Sequence, residues 1–120
     1  MAYDNDNIFA KILRGEIPNT TVYEDDHVLA FHDIAPQTPV HVMVIPKGAY
    51  VDYTDFAANA SDAEKLGLMN GVLATVKALG LEDDGYRLIA NSGPNSGQEV
   101  PHLHFHICGG GPVGPLISRG

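Results

Sequence analysis

Residues His102 to Cys108 run His-Leu-His-Phe-His-Ile-Cys, so three histidines alternate with three apolar side chains. Strict alternation is the period of a β-strand, which sets the imidazoles on one face and Leu103, Phe105 and Ile107 on the other. At about 3.3 Å of rise per residue, neighbouring histidines stand roughly 7 Å apart and the outer pair roughly 13 Å. The apolar residues between them bury the opposite face in a core, so a rigid element holds three of the chain's six histidines in a row. Such a run demands a sheet with one face apolar and the other available for chemistry.

Composition narrows what that row can act on. With 120 residues, 44% of them hydrophobic, the chain is expected to form one domain, residues 1–120, around one core. Seven Lys and Arg stand against fifteen Asp and Glu, for a formal net charge of −8. Without a basic run, wrapping of a nucleic-acid backbone and docking on an anionic membrane are both excluded as expectations. A small nucleotide stays open, because local donors can hold its phosphate. One cysteine leaves no internal disulfide to form and fits a reducing compartment. Met1 to Asn7 is polar and acidic, unlike a secretory leader, and no apolar stretch approaches the roughly 20 residues of a membrane span. A cytoplasmic protein is the expectation.

Local patterns order the rest. Ile8, Phe9, Ile12 and Leu13 recur at helical spacing, with Asp6 or Asn7 as cap, Gly15 as stop and Pro18 beyond. Thr21 to Glu24 and Val28 to Asp33 read as a hairpin about Asp25-Asp26, and Val40 to Ile45 as a strand covered on both faces. Pro36 to Pro39 is a loop. Ser61-Asp62-Ala63-Glu64 fits a capping box opening a helix that runs to Leu79. Its apolar stripe, Leu66, Met69, Leu73, Val76 and Leu79, is expected to pack in the core or against another subunit. Tyr86 to Ala90 is a strand, Asn91 to Gln98 a turn-rich loop, and Gly109-Gly110-Gly111-Pro112 ends the histidine strand. Two helices among about five strands, not regularly interleaved, predict an α+β fold with a mostly antiparallel sheet.

Three kinds of chemistry compete for the histidines. Satisfied structural histidines are the plainest, but three aligned imidazoles are costly to bury without a role. Two histidines at i and i+2 can both ligate zinc at about 2.1 Å. A third from the row is too far, so His41, His32 or Glu99 would have to complete that site. The nucleophile alternative needs one imidazole aimed at an electrophile, with others fixing its tautomer and handling protons. The ordinary imidazole pKa near 6.5 allows both roles without a cofactor or metal. Phosphorus is the natural electrophile, since a phosphoryl-imidazole forms and hydrolyses easily. Asn91, Ser92, Asn95, Ser96, Gly97 and Gln98 bring further donors to the same end of the sheet, with glycines that allow close approach. The chain has neither a P-loop nor a Gly-x-Ser-x-Gly elbow. Cys108 falls on the histidine face and reads as a small packing residue.

His102 to Cys108 resembles the signature of the histidine triad family, His-φ-His-φ-His-φ-φ with φ apolar. The likeness extends over nearly the whole chain: Ile8 to Ile12, Ile17-Pro18, Tyr23 to Asp26, Ala30 to Ile34, Pro39 to Lys47 and Gly85 to Arg87 stand in the family's order. Gly97 to Val100 and Gly110 to Leu116 look like the bacterial members of its nucleotide-binding (Hint) branch. The resemblance implies the histidine triad fold, a sheet extended across a homodimer, and a purine nucleoside phosphoramidate hydrolase acting through a nucleotidyl-histidine. His104 would attack phosphorus, His106 would orient it with His41 behind, and His102 would lie beside the phosphate and departing amine. Ile8, Phe9, Ile12, Phe31 and Ile34 would wall the purine with His32 alongside, and Asp33 would hold the ribose. Asn91, Gly97 and Gln98 would contact phosphate oxygens, and Glu99 and Val100 complete the implied substrate-binding set. Many members carry serine where Glu99 stands, so a carboxylate would here assist the leaving group or do nothing. A nucleotide-binding module, a dinucleoside polyphosphate hydrolase and a histidine-ligated metal protein remain the alternatives.

Overall fold

Val28–His32 and Val40–Pro46 are apolar at almost every position, as suits strands covered on both faces, and they occupy the middle of the sheet. The computed structural model describes residues 2–117. Its elements are α1 (Ile8–Leu13), β1 (Thr21–Glu24), β2 (Val28–His32), β3 (Val40–Pro46), α2 (Tyr53–Asn59), α3 (Asp62–Ala78), β4 (Tyr86–Ala90) and β5 (Phe105–Gly109). The strands lie in the order β1-β2-β3-β5-β4, every neighbouring pair antiparallel. This is the α+β fold with an antiparallel sheet that the sequence predicts. No helix among the described residues is long and apolar enough to cross a membrane.

Alternation along the strands divides the interior in two. Val28, Ala30, Val42, Val44 and Ile107 point to the side covered by Phe56 of α2 and Leu68 and Val76 of α3. Leu29, Phe31, Met43 and Ile45 point the other way, against Phe9 and Ile12 of α1. α1 starts where Asn7 Oδ1 accepts the Ala10 amide at 2.9 Å. The capping box on α3 forms as expected, Ser61 and Glu64 satisfying each other's amides.

Three expectations change. Of the two places expected for the α3 stripe, the core is not the one it takes: Leu66, Met69 and Leu73 are 61%, 72% and 50% exposed, and only Val76 of the five is buried. The face laid on the sheet is Gly67, Leu68, Gly71, Thr75 and Val76, because small residues every fourth position let the helix come close. Secondly, α2 is a third helix, capped by the Asp52 side chain on the Asp55 amide at 2.9 Å. Its single buried residue, Phe56, gives no periodic signal. Thirdly, the histidine run is strand only from Phe105 onward. Pro101 has no amide to offer a ladder, and His102 to His104 approach the sheet irregularly, with the Leu103 amide bound to the Tyr50 carbonyl at 2.8 Å. Leu103 and Ile107 are fully buried, each stabilising the run by roughly 1.5–3 kcal/mol.

A Cβ on Gly71 would sit 2.4 Å from Val28 Cγ2. Gly71→Ala is therefore expected to cost about 1–3 kcal/mol of stability by overpacking, against the gain in helix propensity. Urea denaturation measures it, and a stabilised variant would show that α3 does not approach β2 so closely.

Candidate active site

Strand register brings the histidines together. His41 lies opposite Cys108 and Met43 opposite His106 in the β3–β5 pair, so these side chains share the face beneath α1. Phe9 of α1 meets the His104 ring edge-on, centroids 5.0 Å apart, and the His106 ring meets it edge-on at the same separation.

The hydrogen bonds assign the tautomers of His41, His102, His104 and His106, because an amide can only donate and a carbonyl can only accept. The Gln37 amide donates to His41 Nδ1 at 3.0 Å, so the His41 proton is on Nε2. That Nε2 donates to His106 Nδ1 at 2.8 Å, which leaves the His106 proton on its own Nε2. His104 Nδ1 donates to the His102 carbonyl at 2.7 Å, so His104 Nε2 holds an unprotonated lone pair. His102 Nε2 donates to the Pro46 carbonyl at 2.8 Å, and its Nδ1 is taken by Tyr3.

Burial favours the neutral form of the three rings of the run. Desolvation pushes His102 down to about 4, helped by the neighbouring His104. His106 is pushed down to about 4 by desolvation, then by His104 and His41. His104 is also lowered by burial, while the His102 carbonyl and the charges of Asp33 and Glu99 oppose that shift.

Beside the row opens a pocket of about 380 Å³. Ile8, Phe9, Ile12, Phe31, His32, Asp33 and Ile34, all expected at the purine and ribose, line this one cavity. Ile34 stands 98% exposed, with no packing partner to hold it away from a ligand. Ile17, Pro18, Asn19, Thr20 and Met43 line it too. The first four were unforeseen because a loop after a helix has no periodicity, and Met43 because it sits in a uniformly apolar strand. Asp33 Oδ1 accepts the Ala35 amide at 2.8 Å, and Oδ2 lies 3.4 Å from His41 Nε2.

Two expected contacts are engaged elsewhere. The Gln98 side chain accepts the Gly93 amide and donates to the Val51 and Val100 carbonyls, so it pins the loop instead of presenting its amide. His102, expected beside the phosphate and the departing amine, is fully buried with both ring nitrogens occupied, so its ring has no free nitrogen to offer either group. Asn91 is half-buried at the end of β4, Gly97 closes the turn at φ 77° and Glu99 is exposed. Val100 packs against the α1-side core.

Asp33, His41 and His106 each offer an atom within 4.8 Å of the others, a spacing that could hold a metal ion. The His41 Nε2 proton already occupies that position. Binding a metal there would drive the proton to Nδ1, against the Gln37 amide. The donor set favours a shared proton over a bound cation.

Since the His102 pKa is about 4 in the fold and near 6.5 otherwise, the unfolded chain binds more protons between these values. Stability is thus complete above about pH 6.5 and falls as pH drops toward 4, with His102 contributing about 3 kcal/mol over the whole window. Urea unfolding from about pH 7 to about pH 5, above most carboxylate protonation, should show that decline. A flat profile would contradict neutral burial.

The sequence profile described as HIT domain matches residues 14–113. The chain is 52% identical over 118 residues to an uncharacterized 13.2 kDa HIT-like protein of Azospirillum brasilense, covering 98% of this chain and 97% of that one. It is 45% identical over 115 residues to the purine nucleoside phosphoramidase of Escherichia coli (strain K12), covering 95% of each. A solved histidine triad protein from Clostridium difficile superposes with TM-score 0.83 at 39% identity, over 97% of this chain and 100% of its own. A HIT family hydrolase from Clostridium thermocellum gives TM-score 0.85 at 39% identity, over 96% and 99%. Sheet order, histidine run and these matches agree: the chain belongs to the HIT domain family.

Proposed function

We propose that this chain, acting as one catalytic domain, hydrolyses the P–N bond of purine nucleoside 5′-phosphoramidates through a nucleotidyl-histidine. The observation that carries the proposal is the 2.7 Å hydrogen bond from His104 Nδ1 to the His102 carbonyl, which leaves Nε2 as a neutral nucleophile. The 45% identity to the E. coli phosphoramidase and the likeness to a HIT family hydrolase support it.

The purine lies between Phe9, Phe31 and the isoleucines, and the Asp33 carboxylate takes the ribose hydroxyls. His104 Nε2 attacks the α-phosphorus. As the P–Nε2 bond forms, the bond to the amine breaks; the amine leaves with that electron pair and a proton taken from water near Glu99. With Nδ1 still protonated, the nucleotidyl-imidazole is cationic. The His102 carbonyl and the charges of Asp33 and Glu99 favour that form, as they favour protonated His104. The Nε2–H of His106, whose tautomer His41 sets, donates to a phosphate oxygen. Water then attacks phosphorus, the P–Nε2 bond breaks, a proton passes to solvent, and the nucleoside monophosphate departs.

The working unit is a homodimer. Leu66, Met69 and Leu73 of α3, with Tyr53 and Leu88, expose apolar area beside the open edge of β4. A second copy would bury it and extend the sheet.

His104→Ala should lower turnover of an adenosine phosphoramidate by at least about a thousandfold while AMP still binds. Acid-quenched wild-type enzyme should carry nucleotide mass on the peptide containing His104. Turnover retained by the variant, or label elsewhere, would reject the mechanism. Turnover confined to dinucleoside polyphosphates would reassign the substrate. Met69→Glu, which sets charge in the proposed interface, should yield monomers by sedimentation; a wild-type monomer at micromolar concentration would refute the assembly.

A further inference from the structure

The segment ahead of α1 delivers Tyr3 to the least accessible part of the histidine run. Tyr3 Oη lies 2.5 Å from His102 Nδ1, and the two rings meet edge-on with centroids 5.6 Å apart. The segment is seated by its own bonds. Asn7 Nδ2 donates to the Asp4 carbonyl at 2.7 Å, and Arg14 Nη1 donates to the Asn5 carbonyl at 2.8 Å. Tyr3 is thereby tied to the same helical cap that sets Phe9 against His104.

The direction of the Tyr3 bond follows from its neighbour. The Pro46 carbonyl can only accept, so the single proton of neutral His102 is on Nε2, and the tyrosine hydroxyl donates to Nδ1. His102 is wholly buried, so a turn of its ring would orphan a buried polar atom. The backbone here lies before β5 and lacks the ladder that holds His106. The ring clamp, together with the His102 amide bond to the Val100 carbonyl at 2.9 Å, stands in for strand pairing. What it holds still is the His102 carbonyl, the acceptor that dictates the His104 tautomer.

We propose that Tyr3 is a positioning residue for the reaction: its hydroxyl locks the His102 ring, and through the His102 carbonyl it keeps the lone pair of His104 on Nε2. The proposal rests on His104 being the nucleophile. It adds the N-terminal segment, outside the matched residues 14–113, to the machinery that prepares that nucleophile.

Tyr3→Phe in the full chain removes only the donor and keeps the ring contact. It is expected to lower kcat for an adenosine phosphoramidate about tenfold, the scale of one hydrogen bond, with KM changed less than about twofold. Imidazole nitrogen-15 spectra supply a readout independent of turnover. Wild-type His102 should show a protonated Nε2 and a hydrogen-bonded, unprotonated Nδ1; in the variant the Nδ1 signal should lose its hydrogen-bond shift and the His104 signals should move. Unchanged His102 and His104 signals, an unchanged kcat, or a loss carried by KM alone would overturn the proposal. So would the opposite His102 tautomer in wild-type protein, which decides the matter even if the variant fails to fold. A wild-type enzyme without turnover but with these spectra would instead reject the hydrolase function and leave the Tyr3 clamp standing.

Discussion

One hydrogen bond sets the terms for the site, the one between His104 Nδ1 and the carbonyl of the residue two places before it. An imidazole free in water exchanges its proton between two nitrogens and titrates near neutrality. Here the carbonyl fixes the proton on one nitrogen, and burial lowers the pKa, which favours the form in which the other is bare. A lone pair with the character the proposed mechanism needs thus comes from main-chain geometry and desolvation, without a charged partner in direct contact. His41 and His106 are ordered by the same logic, starting from the Gln37 amide.

The arrangement ties stability to reactivity. Rings that must stay neutral are buried at the junction of α1, β3 and β5, and the desolvation that suits the proposed nucleophile also makes the fold sensitive to acid. Leu103 and Ile107 hold the run from the opposite face, so the histidines do not need to supply their own packing. Among the rings, His102 has become wholly structural in its contacts. It lies under the site, clamped from two sides, and its carbonyl accepts the His104 Nδ1 proton.

Much of this was legible in the residues, and the failures have physical causes. The α1 cap, the hairpin, the doubly covered β3 and the capping box rest on local patterns that tertiary packing does not override. The pocket walls Phe9, Phe31 and Asp33 followed from resemblance, and they do border one cavity. The stripe on α3 left core and subunit packing open because apolar spacing identifies a face without naming what it meets, and within the chain most of it does not meet the core. Gly67 and Gly71 carry no hydrophobic signal, yet a helix can approach a sheet most closely where side chains are smallest. Gln98 belongs to a donor-rich loop, but only the folded loop shows that its amide is spent holding the loop together.

By itself, the sequence determined the class of fold, the alternation that puts imidazoles opposite a core, and the membership that its motifs announce. Those properties are carried by periodicity, by local motifs and by their order along the chain, all of which are read without knowing which distant residues touch. Tertiary structure decided which nitrogen of each ring bears a proton, where the histidine strand begins, and that Tyr3 reaches His102. Each of these depends on partners distant in the chain, and a hydrogen bond between distant residues exists only once packing has brought donor and acceptor together.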